Sequence, residues 1–130
     1  MLHLNDSSTT NIINNLTITS INAKNTYGLY SNNGTITMET GTIDVSGINA
    51  YGIYLNSSAA TVDLGTKDGS VLKTADVSIN DPLVKAIGST LGIGVKSNSG
   101  VFYFYDGKLI GSTYAKPETA QITETGWESR

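Results

Sequence analysis

The stretch "GLYSNNGTITMETG", Gly28 to Gly41, is matched 24 residues later by "GIYLNSSAATVDLG", Gly52 to Gly65, and again by "GVKSNSGVFYFYDG", Gly94 to Gly107. The three stretches align without a gap. Each opens on Gly, continues with Leu, Ile or Val, places Asn fifth and closes on Gly. A fixed period of this length marks a repeat architecture, in which each copy completes its core only against its neighbours. The second and third copies start 42 residues apart, so about 18 residues are extra there. They fall in the irregular segment 68–90, "DGSVLKTADVSINDPLVKAIGST", which reads as a degenerate coil or a protruding loop.

Within a copy the pattern has a period of two. In "GTITMETG" Ile36 and Met38 alternate with Thr35, Thr37 and Glu39; in "GTIDVSG" Ile43 and Val45 alternate with Thr42, Asp44 and Ser46. Such alternation describes half-buried strands, and the Gly, Asn and Ser between the runs supply turns. Gly, Thr, Asn and Ser are also weak helix formers. One copy is therefore expected to hold three short strands. Three strands in about 24 residues is the size of one coil of a right-handed parallel β-helix, an all-β solenoid. An antiparallel β-sandwich also accepts short alternating strands, but it leaves the constant spacing and the matched Asn unexplained. In a stacked coil, equivalent positions lie about 4.8 Å apart. Counting back from the closing glycines puts Ile36, Ala60 and Phe102 in one inward file and Met38, Val62 and Phe104 in the next. The matched Asn32, Asn56 and Asn98 are expected to form an amide ladder along one corner. Residues 1–117 read as one domain and 118–130 as a polar tail or cap, with "LTITSINA" the last strand of a preceding coil and "MLHLNDSSTTN" a cover for one end.

Composition restricts the partners. The net charge is −3 and the eight basic residues are scattered, which argues against a nucleic-acid surface. No apolar run approaches the roughly 20 residues of a membrane helix, so no membrane insertion is expected. The chain has no Cys, so disulfides and thiolate metal sites are excluded. No secretion signal is visible in "MLHLNDSSTT", and the chain is expected to be part of a longer secreted protein.

The segments "YGLYSNNGTI", "AYGIYLNSS", "METGTIDVSG" and "GVFYFYDGKLIGST" resemble the Gly/Thr/Asn-rich repeat regions of large bacterial surface proteins, the adhesin-like and pectate-lyase-like β-helices. The resemblance spans roughly Leu16 to Ala115. It implies an extracellular or cell-surface location and a non-catalytic role as rigid spacer or adhesive surface. The alternative it carries is a fragment of a polysaccharide lyase or glycosidase.

Residues for such chemistry are sparse. Glu39 and Asp63 each lie two positions before a closing glycine, which stacks them in one outward file with Tyr105. A retaining glycosidase needs two carboxyl groups about 5–5.5 Å apart, but the only His is His3 and the only Arg is the last residue. Asp81 and Lys85 in "DPLVK" are equally weak candidates, and no metal or organic cofactor is expected. The aromatics carry more. Tyr30 and Tyr54 share a file with Lys96, while Tyr103 and Tyr105 alternate with the phenylalanines and are expected to face outward. Exposed tyrosines stack on sugars or anchor protein contacts. The expected partners are thus surface glycans or a host or matrix protein, with end-to-end self-association through the open sheet edges.

Overall fold

The computed structural model describes residues 1–12, 15–65, 81–115 and 127–129. Among these the chain is all-β, with eleven strands: β1 (Leu2–Leu4), β2 (Thr9–Ile12), β3 (Leu16–Thr19), β4 (Asn25–Ser31), β5 (Gly34–Met38), β6 (Thr42–Leu55), β7 (Ala60–Leu64), β8 (Leu83–Ser97), β9 (Val101–Phe104), β10 (Lys108–Gly111) and β11 (Trp127–Ser129). Every described pairing between them is parallel. The antiparallel sandwich is thereby excluded.

The pairings form three ladders. In the first, β3 pairs with the leading part of β6, which pairs with the leading part of β8, followed by β10 and β11. In the second, β1, β4 and the trailing parts of β6 and β8 lie in order, and an isolated bridge adds Tyr114 beside Ile93. The third is β2-β5-β7-β9. From β1 to β10 the described strands visit the second, third and first ladders in that cyclic order. β6 and β8 cross from the first ladder to the second without losing their pairing. Their register shifts between Gly47 and Asn49, where β8 carries one more residue than β6. A bulge of this kind bends a strand while keeping it in the sheet.

The inward side chains of all three ladders meet in one core. Leu29, Ile36, Ile43, Ile53, Leu64, Phe102, Phe104 and Leu109 are all fully buried. Leu4, Ile12 and Leu16 pack against it, half-buried. In the third ladder the register departs from the glycine alignment. Ile36 pairs with Val62, which pairs with Phe102; Met38 pairs with Leu64, which pairs with Phe104; Ala60 pairs with Gly34. The cause is a corner. Two residues, Asn32 and Asn33, separate β4 from β5, whereas four, Asn56 to Ala59, separate β6 from β7. The two additional residues displace β7 by two positions, and in a strand a shift of two leaves each side chain on its original face.

The segment expected to be irregular is regular from Leu83 to Gly88, where β8 runs in register with β6, and Ser89 and Thr90 fall at the register shift; its residues 68–80 lie outside the described residues. The outward positions of β8 include Leu83 and Ile87, so its alternation with Val84 and Ala86 is hidden in the sequence. The leading segment is also strand rather than a simple cover, since β1 and β2 pair with β4 and β5. At the far end, 127–129 continue the first ladder as β11; the rest of the expected tail lies outside the described residues.

One file admits no side chain. A Cβ on Gly28 would lie 2.5 Å from the Gly52 carbonyl oxygen and 2.6 Å from Ile43 Cγ2. A Cβ on Gly52 would lie 2.5 Å from both the Gly94 carbonyl oxygen and Val84 Cγ1. These contacts include backbone, which has little room to move. Gly52→Ala is expected to lower stability by about 1–3 kcal/mol through overpacking, measured by denaturant unfolding; a variant as stable as the parent would contradict the packing of this file.

Candidate functional site

The glycine file shapes the outer face of the second ladder. In strict alternation Tyr27 and Leu29 would share a side. Instead Gly28 and Leu29 are both buried, and Tyr27 and Tyr30 on either side of them are both half-exposed. β6 repeats the arrangement with Tyr51, Gly52, Ile53 and Tyr54. The parallel register then sets Tyr27 beside Tyr51 and Tyr30 beside Tyr54. Two strands of the form Y-G-x-Y thereby yield four neighbouring phenols.

The four rings form a closed lattice. Tyr30 and Tyr54 lie nearly parallel, with centroids 5.2 Å apart, as do Tyr27 and Tyr51. Across the lattice Tyr27 meets Tyr30 and Tyr54 edge-to-face at 5.2 and 5.1 Å, and Tyr51 meets Tyr54 at 5.3 Å. The His3 ring meets Tyr30 edge-on at 5.2 Å. These separations fall in the favourable range for aromatic pairs, each contributing about 0.5–1.5 kcal/mol beyond burial. Beyond the lattice, Lys96 follows Tyr54 in register, and Ile93 follows Tyr51, with Tyr114 next.

Amides border this lattice on both sides. Asn32, Asn56 and Asn98 are brought together: Asn56 Nδ2 donates to Asn32 Oδ1 at 2.9 Å, and Asn98 Nδ2 donates to Asn56 Oδ1 at 3.0 Å. Their backbone N–H groups donate to Leu4, Ser31 and Leu55 respectively, each at 2.9 Å. Asn98 Nδ2 also reaches the Tyr54 hydroxyl at 2.9 Å, and Asn32 Nδ2 lies 3.3 Å from His3 Nε2. On the opposite border Asn49 Nδ2 donates to Asn25 Oδ1 at 3.1 Å. Sequence reasoning did not single out Tyr27, Tyr51, Asn25, Asn49 or Tyr114. The recurrence of Y-G-x-Y was the available signal, but alternation alone assigns Tyr27 to the side of Leu29.

Tyr103 and Tyr105 lie elsewhere, on and just beyond β9. Their rings are near-parallel, with centroids 6.1 Å apart, and Tyr103 is 39% exposed. Tyr103 pairs with Asp63, which pairs with Thr37. Glu39 therefore does not oppose Asp63, and Tyr105 does not follow it in register; the two-residue displacement of β7 separates the expected acidic file. Asp44 and Lys85 oppose each other on the first ladder, so Lys85 stands beside a different carboxylate from Asp81. Among the described residues no three His, Asp or Glu side chains stand close enough to hold a metal ion, and no helix is long and apolar enough to cross a membrane.

Burial pushes the Tyr27 phenol above the ordinary tyrosine range; the neighbouring phenols of Tyr54, Tyr51 and Tyr30 add to this, and a hydrogen bond with Asn25 opposes it. Burial raises Tyr51 as well, with Tyr54 adding. A phenol whose folded pKa exceeds its unfolded value contributes stability that is complete below the unfolded value, about 10. That contribution is lost as pH rises through the folded value. Alkaline titration followed by phenolate absorbance is expected to show ionisation above the ordinary tyrosine value, part of which disappears in Tyr51→Phe. An absorbance change with no component above the ordinary tyrosine value would contradict the burial of Tyr27 and Tyr51.

No protein-family model, curated protein or solved structure matches the chain.

Proposed function

We propose that the chain is a module of a longer bacterial cell-surface protein, a right-handed parallel β-helix that acts as a rigid, non-catalytic spacer and presents an adhesive surface. The observation that carries this reading is the cyclic order in which the chain revisits three parallel ladders around one core. Strands joined in this way cross over right-handedly in nearly all known cases. Most inner strands are held by a neighbour on each side, so the body resists bending and the outward side chains remain free to vary.

Two aromatic groups are candidates for the adhesive side: the tyrosine lattice with its amide borders, and the Tyr103–Tyr105 pair. Tyrosine gives a large amphipathic contact at little conformational cost. The separation of Glu39 from Asp63 favours the spacer over a glycosidase fragment, whose two carboxyl groups must face one substrate. At the β1–β2–β3 end, the terminal places of β1 and β2 in their strand orders suit continued parallel pairing with another coil or a second copy.

The location is tested with antibodies raised against this module, applied to intact and to permeabilised cells that produce it. Labelling of intact cells is expected. Labelling only after permeabilisation would contradict a surface role.

A further inference from the structure

We infer that the outer face of the second ladder, and not the Tyr103–Tyr105 pair, is the ligand-binding surface, and that its ligand is a neutral glycan chain. This rests on the reading of the module as adhesive and narrows it to one face and one ligand class.

The first argument is chemical. A sugar presents apolar C–H faces and hydroxyls that both donate and accept. The lattice offers rings for the former, and its borders offer carboxamides, which likewise donate and accept. Asn56 uses one N–H on Asn32 and its oxygen on Asn98, so a second N–H remains to serve a hydroxyl.

The second argument is charge. The second-ladder strands are "LHL", "NTYGLYS", "NAYGIYL" and "LGIGVKS". They contain no Asp or Glu, and Lys96 is their only Lys or Arg. Every described carboxylate lies elsewhere: Asp6, Glu39, Asp81 and Asp106 near corners, Asp44 on the first ladder, Asp63 on the third. A polyanion would meet repulsion from a chain of net charge −3 without a cluster of cations to offset it. A polycation would find no described carboxylate on this face. An uncharged polymer matches it.

The third argument is order. The rings hold one another at 5.1–5.3 Å in both directions across the lattice, and preorganised contacts lose little entropy on binding. Because the same groups recur on successive strands, a polymer of repeating rings meets repeating partners. Tyr103 and Tyr105 form one described ring pair, and Tyr103 stands opposite the acidic Asp63.

The test is calorimetric titration of the whole chain with cellohexaose, mannohexaose and laminarihexaose, with polygalacturonate as the acidic comparison. Binding of a neutral hexamer in preference to polygalacturonate is expected. The double change Tyr30→Leu and Tyr54→Leu should weaken it at least about tenfold, while Tyr103→Ala leaves it unchanged. Circular dichroism and Tm show whether each variant is folded. Should the double variant unfold, amide shift changes in the wild-type chain serve instead, and they should concentrate in β4 and the trailing part of β6. Binding lost only in Tyr103→Ala, or shift changes confined to β9, would overturn this inference while leaving an adhesive module in place. Failure of all three neutral hexamers to bind would overturn it as well, without touching the surface-labelling result.

Discussion

Parallel pairing along three ladders imposes one constraint on this chain: residues in register on neighbouring strands must be compatible with lying directly beside one another. The core meets it with files of similar groups, such as Leu29, Ile53 and Val95 in the second ladder or Ile43, Val84 and Leu109 in the first. Burial of one such side chain contributes about 1.5–3 kcal/mol, against about 0.5–1.5 kcal/mol net for a hydrogen bond such as those of the amide ladder. The apolar files therefore dominate stability. The amides mainly fix register along a corner, where one wrong position would break two bonds.

The same constraint builds the surface. Gly28, Gly52 and Gly94 leave no room for a Cβ, and where Gly28 and Gly52 are buried together with Leu29 and Ile53, both flanking tyrosines lie half-exposed, in β4 and again in β6. Stacking then brings the two pairs together. The tyrosine lattice is thus a consequence of glycine at the interior, and the elevated phenol pKa values of Tyr27 and Tyr51 follow from the crowding.

Much of this was legible in the sequence. The spacing from Gly28 to Gly52 is the true register of the second ladder, and the recurrence of Asn32, Asn56 and Asn98 marks residues that do join. Phe102 and Phe104 were readable as interior from alternation alone. The third-ladder register was not, because the four-residue corner Asn56–Ala59 shifts β7 by two while preserving inside and outside. Polarity patterns cannot detect an even shift, so Asp63 was placed beside Glu39 when it lies beside Thr37. β8 was hidden for a different reason: Leu83 and Ile87 face outward and erase its alternation. Tyr27 and Tyr51 were missed because two consecutive buried residues, Gly28–Leu29 and Gly52–Ile53, break the alternation beside them.

Stacking with this register is the central claim, and a chain without Cys allows it to be measured directly. Two double-cysteine variants, Thr37→Cys with Asp63→Cys and Glu39→Cys with Asp63→Cys, are treated with a short thiol cross-linker under native conditions. Directly opposed Cβ atoms lie about 4.5–5.5 Å apart and diagonal neighbours about 7–8 Å. The Thr37–Asp63 pair should link far faster. Faster linkage of Glu39–Asp63, or linkage of neither, would contradict the stacked files on which the account stands.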